Sequence, residues 1–272
     1  MKKVALLANT IRQDIVKMLL ESQSGHLAGP LGMADIFAYL YSTELKHKPK
    51  KPEWKGRDYL FLSNGHICPV LYATLANVGY FPKKELLTLR KLGSRLQGHP
   101  HLGSLPGVEN SGGPLGQGAS QSCGAAIGFL RNKQKNRVYC VLGDGELNEG
   151  QCWEAAMFAG HHELHNLTWL IDRNNIQIDG ATDDVMNTRD IGEKFWTFGW
   201  HVIRISGHDF DGMKEAFAQA KKMKHKPTVI VAYTIPGRGV PEFENDYHWH
   251  GKAPDEKQAA RALRALSREV EQ

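Results

Sequence analysis

Two short polar strings each end an apolar run of this sequence. Gly143-Asp144-Gly145 follows the run VYCVL, and Asp172-Arg173-Asn174-Asn175 follows the run LTWLI. Asn174 comes 30 residues after Asp144, a spacing that fits a strand, a crossover helix and a neighbouring strand. Because ligands of open α/β sheets bind at the carboxyl ends of the strands, Asp144 and Asn174 are expected to face one another there. A carboxylate, an amide oxygen and a backbone carbonyl would hold Mg²⁺ and leave positions for phosphate oxygens and water.

The glycines on each side of Asp144 are suited to a phosphate ligand. A glycine lets a diphosphate approach the backbone, and a helix predicted to begin near residue 148 would add its N-terminus. Gly-Asp-Gly alone is more often a plain turn. Paired with the Asn-Asn string at this spacing, with each string ending an apolar run, it is much more specific.

Three histidines lie in turns beside glycine: His26 in SGH, His66 in NGH and His99 in GHP. Imidazoles in a cleft can donate to sugar hydroxyls or move protons near neutral pH. Each one taken singly is equally well explained as a loop histidine that caps or solvates its turn.

Three other patterns do not predict sites. HHELH (161–165) spaces two histidines by four but has His where a zinc protease helix has Glu. Gly116-Gln117-Gly118 follows no strand, and residue 121 is Gln, so a dinucleotide fingerprint is not predicted. No Gly-Lys-Ser/Thr string follows a glycine-rich loop, which excludes a P-loop.

Apolar runs alternate with amphipathic or small-residue helices along the chain. Helices are predicted for 4–20, 33–45, 68–79, 120–133, 148–162, 211–223 and 254–272, and strands within 59–66, 137–145, 167–175, 201–206 and 228–235. Strands that are apolar along their whole length indicate a parallel sheet covered on both faces. The sequence therefore predicts a three-layer α/β/α fold with a mainly parallel sheet. It forms one domain over 1–272, with a peripheral helix at 254–272.

Composition excludes several classes of protein. The 272 residues are 41% hydrophobic and carry a net charge of +5, with the basic residues scattered, so nucleic acid is not an expected partner. The four cysteines form no Cys-x-x-Cys pair, which favours buried reduced thiols. No apolar stretch reaches membrane-spanning length, and the apolar run near the N-terminus is too short for a signal peptide. We expect a soluble, cytoplasmic protein.

The pairing of GDG with NN resembles the diphosphate-binding motif of thiamine-diphosphate enzymes. The wider sequence is similar to the N-terminal part of transketolase over roughly residues 20–253, in one order: SGHLAGPLG, RDYLFLSNGH, LQGHPH, GGPLGQG, GDGELNEGQCWEA, IDRNNIQIDG and WHGKAP. The resemblance implies a thiamine-diphosphate-binding fold, with thiamine diphosphate and Mg²⁺ as cofactors. It also implies reversible transfer of a two-carbon ketol unit from a ketose phosphate to an aldose phosphate.

The resemblance also assigns residues. It implies Asp144, Asn174 and the carbonyl of Ile176 as metal ligands. Cofactor contacts would come from His66, Gly113, Pro114, Leu115, Gly145, Glu149, Asn174, Ile178 and His250. The catalytic set would be His26, His66, His99, His250, Glu149 and Glu154, with the two glutamates in a carboxylate and water link between paired active sites.

Two local departures from the family pattern change the details. The family commonly has SGHPG, where this chain has Ser24-Gly25-His26-Leu27-Ala28. Many transketolases have two histidines separated by two residues before a glycine, whereas this chain has His248-Trp249-His250-Gly251. His250 aligns with the second family histidine. The first falls near Tyr247, with His248 as a candidate substitute.

Full-length transketolases continue into a pyrimidine-binding domain, which supplies a glutamate to the cofactor and arginines to the sugar phosphate. The resemblance covers only the section before that domain. The chain is therefore interpreted as the N-terminal subunit of a split transketolase, with a C-terminal partner subunit in an α2β2 assembly. Alternatives are the α subunit of a 2-oxo acid dehydrogenase, 1-deoxyxylulose-phosphate synthase, a transketolase-like enzyme with a specialised sugar donor, and a non-catalytic cofactor-binding subunit.

Overall fold

The computed structural model describes residues 1–268, which form seven strands and nine α-helices. The strands are β1 (Tyr59–Leu62), β2 (Val138–Gly143), β3 (Leu167–Arg173), β4 (Ile176–Gln177), β5 (Gly180–Ala181), β6 (His201–Ser206) and β7 (Thr228–Tyr233). The helices are α1 (Lys2–Ser22), α2 (Ala28–Tyr39), α3 (Cys68–Asn77), α4 (Gln117–Arg131), α5 (Gly150–His161), α6 (Thr182–Met186), α7 (Ile191–Thr197), α8 (Phe210–Lys222) and α9 (Glu256–Arg268).

Five of the strands form one parallel sheet in the order β1-β2-β3-β7-β6. Alternate residues of each strand enter different hydrophobic cores. In β2, Tyr139 and Val141 pack with α1, α2, α3, α8 and α9, whereas Cys140 and Leu142 pack with α4, α5 and α7. This two-sided burial explains why the runs are apolar throughout, and it confirms the predicted α/β/α layers.

The end of the chain packs against its beginning. Ala259, Ala262 and Leu266 of α9 are buried, and the amide of Asn9 in α1 donates to the Leu266 carbonyl over 3.0 Å. The helix predicted over 254–272 is thus observed as α9, which packs against α1 and is described up to Arg268. Residues 269–272 are not among the described residues. None of the helices within 1–268 is long and apolar enough to cross a membrane. All four cysteines are buried and free, as predicted.

Some elements differ from the expectation. The helix after the Gly-Asp-Gly turn begins at Gly150, because a 3₁₀ turn over Gly145–Asn148 comes first. The helix predicted from Met33 begins at Ala28 and ends in a π-helical turn over Leu40–Glu44. The sequence reasoning assigned no structure to the β4–β5 hairpin, α6 or α7.

Candidate active site

The carboxyl ends of β1, β2 and β3 open into one cavity of about 360 Å³, which we call the strand-end cavity. Its volume lies in the usual range of small-molecule sites. Predicted site residues from distant parts of the chain meet there. Those that line it are His26, His66, His99, Gly113, Leu115, Asp144, Gly145, Asn174, Ile176, Ile178 and His250.

Asp144 lies at the floor of the strand-end cavity and is 1% exposed. Its Oδ2 accepts from Arg173 Nη1 and from the Asn175 N–H, both over 2.8 Å, and its Oδ1 accepts from the Gly145 N–H over 2.8 Å. Burial raises the pKa of Asp144, and the hydrogen bonds from Arg173 and the two backbone groups oppose that rise. The Arg173 guanidinium is also paired with Asp183 over 2.8 Å, so the positive charge is shared.

Both the backbone and the side chains of Asn174 and Asn175 form hydrogen bonds around the cavity. Asn175 has a left-handed φ of 58°, which Asn tolerates better than most residues and which allows its N–H to reach Asp144. The Asn174 amide donates to Asp172 Oδ2 over 2.8 Å and accepts from the Ile176 N–H over 3.0 Å. Asp144 and Asn174 thus line the same cavity, each held in place by its own hydrogen bonds.

Asp172 holds the Asn174 amide in place through a hydrogen bond. It is 1% exposed, and its other oxygen accepts from the Thr234 hydroxyl at the end of β7. Burial raises the pKa of Asp172 to about 7; the hydrogen bonds from Thr234 and Asn174 oppose the rise, and the nearby Asp144 carboxylate adds to it.

Three of the histidines form a cluster in the lining of the same cavity. The ring centroids of His26 and His66 are 4.9 Å apart, those of His66 and His250 are 5.2 Å apart, and those of His26 and His250 are 5.5 Å apart. Among the residues that the structure describes, Nδ1 of both His26 and His250 is buried without a hydrogen-bond partner. His99 lines the cavity at its more exposed rim.

The cluster keeps its imidazoles neutral. Burial, followed by repulsion from His250, Arg90 and His99, lowers the pKa of His26 to about 3. Burial also lowers the pKa of His66 well below its usual value, and it lowers the pKa values of His99 and His250. Neutral imidazoles each offer one donor and one acceptor, which suits sugar hydroxyls better than it suits proton release near pH 7.

A buried carboxylate that sequence reasoning missed connects the segments around the cavity. Glu146 is 3% exposed. Its Oε1 accepts from the Ser63 hydroxyl over 2.5 Å and the Gly116 N–H over 2.7 Å, and its Oε2 accepts from the Gly143 N–H over 3.0 Å. One side chain therefore links the end of β1, the loop before α4 and the Gly-Asp-Gly turn.

Residues 3–271 match the family model described as the transketolase, thiamine diphosphate binding domain. The chain belongs to the transketolase family. Its curated relatives include the 6-deoxy-6-sulfo-D-fructose transketolase subunit SqwG of Clostridium sp. (strain MSTE9), 38% identical over 96% of this chain and 95% of the relative. Another is a subunit of the apulose-4-phosphate transketolase of Phocaeicola vulgatus, 33% identical over 96% of this chain and 92% of the relative.

Longer transketolases match the same section. Mouse transketolase is 38% identical over 97% of this chain, but this chain spans only 42% of its length. The crystal structure of transketolase from Campylobacter jejuni superposes with a TM-score of 0.93 at 35% identity, covering 98% of this chain and 43% of that one. The chain therefore spans nearly all of the two relatives named as subunits and less than half of these longer transketolases.

Four candidate residues of the transketolase pattern do not line the strand-end cavity. Pro114 is exposed beside it, and Glu149 and Glu154 are exposed at the start of α5 and within it. His248 is turned away: its side chain is 68% exposed, and its Nδ1 is 2.7 Å from Asp246 Oδ1. Of the two histidines near the C-terminus, the fold brings His250 into the cluster.

The residues present fit both family cofactors. Asp144, Asn174 and Ile176 offer a carboxylate, an amide and a carbonyl, which is the hard oxygen donor set that Mg²⁺ prefers. Within the described residues, no group of three His, Cys, Asp or Glu side chains is placed to hold a metal. No atom of the described residues beyond its chain neighbours lies within 4 Å of a Cβ built on Gly113, which leaves room for a ligand, and the unpartnered ring nitrogens of His26 and His250 can form hydrogen bonds with it.

Sequence reasoning missed the polar residues that the fold buries around the cavity. Glu146 and Asp172 are hydrogen-bonded supports, whereas Asn64 and Gln177 line the cavity with unpartnered amide atoms. Asn64 stands next to Ser63 in the SNGH string and Gln177 follows Ile176, so adjacency to predicted residues was the only signal for them.

Proposed function

We propose that this chain binds thiamine diphosphate with Mg²⁺ and acts as the N-terminal subunit of a transketolase. It transfers a two-carbon ketol unit from a ketose phosphate to an aldose phosphate, together with a second chain that carries the pyrimidine-binding section. The observation that carries this proposal is the strand-end cavity, whose lining combines Asp144, Asn174 and Ile176 with a cluster of neutral histidines.

Each group has a distinct task in this proposal. Asp144, Asn174 and the Ile176 carbonyl hold Mg²⁺, and the glycines around Asp144 let the diphosphate approach the backbone. Gly113 and Leu115 in the cavity lining, with Pro114 beside them, would contact the organic rings of the cofactor. Thiamine diphosphate, when bound, supplies the reactive carbon and stabilises the charge that develops on it.

The histidines orient the sugar. His26 and His99 would bind the substrate hydroxyls, and His66 and His250 would contact both the substrate and the cofactor. Because burial keeps these imidazoles neutral, each can donate to one oxygen and accept from another. They also hold no charge that would have to be desolvated when the substrate enters.

A partner chain completes the assembly. The two relatives named as subunits have nearly the length of this chain, which supports an arrangement with the pyrimidine-binding section on a separate chain. Glu149 and Glu154 are exposed in the single chain, which leaves them available for the proposed link between paired sites in an α2β2 assembly. We place this assembly in the cytoplasm and its ordinary substrates among the sugars of the pentose phosphate pathway.

The test is a donor panel in a mixture of this chain with its partner chain, thiamine diphosphate and Mg²⁺. The panel contains xylulose 5-phosphate, a sulfonated ketose and a branched sugar phosphate, because the named relatives act on sugars of the last two kinds. Transfer from at least one donor, lost in the Asp144→Asn variant, supports the proposal. Tight cofactor binding without transfer from any donor favours a non-catalytic cofactor-binding subunit.

A further inference from the structure

The side chain of Asn64 is buried without any hydrogen-bond partner. The residue is 1% exposed, and both its Oδ1 and its Nδ2 are unpaired within the described structure. Leaving a buried polar group unsatisfied destabilises the folded state. An amide with both ends unpaired, in the wall of the strand-end cavity, indicates that a ligand supplies the partners.

The backbone fixes the point from which this side chain extends. The Ser63 N–H donates to the Val141 carbonyl over 2.9 Å and thereby continues the pairing of β1 with β2. Asn64 is the centre of a tight turn (φ −74°, ψ 64°) closed by the Gly65 N–H and the Ser63 carbonyl over 2.8 Å. Gly65 packs so closely on Gly112 that an added Cβ would lie 2.7 Å from the Gly112 carbonyl carbon. This close contact holds the backbone of the turn in place, so Asn64 keeps its position in the wall of the cavity.

The neighbours of Asn64 indicate the class of ligand. A Cβ built on Gly143 would lie 3.7 Å from Asn64 Nδ2, so the amide donor faces the Gly143–Gly145 turn. A second unpartnered amide nitrogen, Gln177 Nε2, lies 3.2 Å from the equivalent point on Gly145. Two unpaired donors thus flank the turn at which a diphosphate is expected. A neutral amide donates to an anionic oxygen without itself requiring charge desolvation.

We propose that Asn64 is a further cofactor-binding residue, whose amide N–H donates to an oxygen of the diphosphate beside the Gly143–Gly145 turn. The ends of β1, β2 and β3 then each supply one polar side chain to the same ligand: Asn64, Asp144 and Asn174. This inference rests on the proposed cofactor and is independent of which sugar reacts.

The test is the Asn64→Leu variant, whose side chain has the same number and branching of heavy atoms and no polar atoms. Two quantities are measured: the affinity for thiamine diphosphate, at fixed Mg²⁺, of the chain with its partner, and the unfolding temperature of the ligand-free chain. We expect affinity to fall at least 10-fold and inorganic pyrophosphate to compete less well. The unfolding temperature should stay the same or rise, because no hydrogen bond is lost. A merely structural residue would lower it.

Asn136→Leu is the matched control, because Asn136 is also buried but donates to the carbonyls of Lys55 and Arg57 over 2.8 and 2.6 Å. It should lower the unfolding temperature and leave cofactor affinity unchanged. If Asn64→Leu does not fold, Asn64→Ser provides the same comparison.

Equal affinity of wild type and variant for both thiamine diphosphate and pyrophosphate overturns the proposal. Unchanged cofactor affinity with a raised KM for the sugar also overturns it and assigns Asn64 to the substrate. A wild-type assembly that binds no thiamine diphosphate refutes the proposed function, and the role of Asn64 fails with it.

Discussion

Glu146 offers a quantitative test of how the cavity is held together. Its two oxygens accept three hydrogen bonds, from Ser63, Gly116 and Gly143, in a place where the side chain is 3% exposed. In Glu146→Gln, one oxygen becomes an NH₂ group. If the NH₂ faces Gly143, that N–H loses its acceptor; if it faces Gly116, the Ser63 hydroxyl can rotate to accept but the Gly116 N–H cannot.

Either orientation of the glutamine leaves one buried N–H unsatisfied, which costs about 1–3 kcal/mol. Glu146→Leu leaves both N–H groups and the Ser63 hydroxyl without their acceptor and should cost about three times as much, roughly 3–9 kcal/mol. Both variants also remove a desolvated charge, which returns a similar amount of energy in each. The difference between Leu and Gln, about one unsatisfied N–H and one unsatisfied hydroxyl, is therefore the more reliable quantity.

Urea unfolding of the ligand-free chain measures these values, and titration with thiamine diphosphate at fixed Mg²⁺ measures the effect on the site. We expect the order wild type, Gln, Leu for both stability and affinity, because Glu146 sets the separation of the Gly116 and Gly143 segments. Glu215→Gln, on the exposed face of α8, is the control and should change neither quantity. Equal stability of the Gln and Leu variants, or unchanged affinity in both, would refute this account of Glu146.

Three further predictions concern the metal and the histidines. Asp144→Asn should raise the dissociation constant of thiamine diphosphate in the presence of Mg²⁺ by more than about 100-fold, since changing a residue that only supports a metal ligand already lowers metal affinity by about 10–100-fold. Equal affinities of wild type and variant by calorimetry would show that Asp144 is not a metal ligand. His99→Ala should lower kcat of the reconstituted assembly by about 10–100-fold, which is the effect of losing one hydrogen bond to the substrate, and should change cofactor affinity little. Equal losses of kcat and of cofactor affinity would make His99 a cofactor contact or a structural residue. The pKa of His26 is about 3 in the folded state and about 6.5 in the unfolded state. Between these values the folded state binds fewer protons than the unfolded state does. The contribution of His26 to stability is therefore complete above about pH 6.5 and is lost as the pH falls toward 3. Wild type should therefore lose stability relative to His26→Gln by up to about 1.4 kcal/mol per pH unit below pH 6.5 in urea unfolding, and a constant difference from pH 7 to 5 would contradict the neutral cluster.

The strands and the convergence of Asp144 with Asn174 could be predicted because both leave a signal in the sequence. Fully apolar runs indicate buried parallel strands, and two polar strand ends 30 residues apart fit neighbouring strands. The β4–β5 hairpin could not be predicted, because its two-residue strands are too short to show any periodicity.

The supporting polar residues escaped prediction for a different reason. Glu146 and Asp172 look like ordinary charged residues in the sequence, and only the fold shows that they are buried and which donors reach them. The choice between His248 and His250 also depends on the fold, because the 3₁₀ turn over Tyr247–Trp249 points one toward solvent and the other into the cluster.

Ketol transfer by the reconstituted assembly tests the central claim most directly. Transfer from a ketose phosphate to ribose 5-phosphate is measured with thiamine diphosphate and Mg²⁺, for this chain alone, for the chain carrying the pyrimidine-binding section alone, and for the two together. We predict transfer only in the mixture, abolished by chelation of Mg²⁺ and restored by its return. Transfer by this chain alone, or by the mixture after Mg²⁺ removal, would contradict the division of the site proposed here.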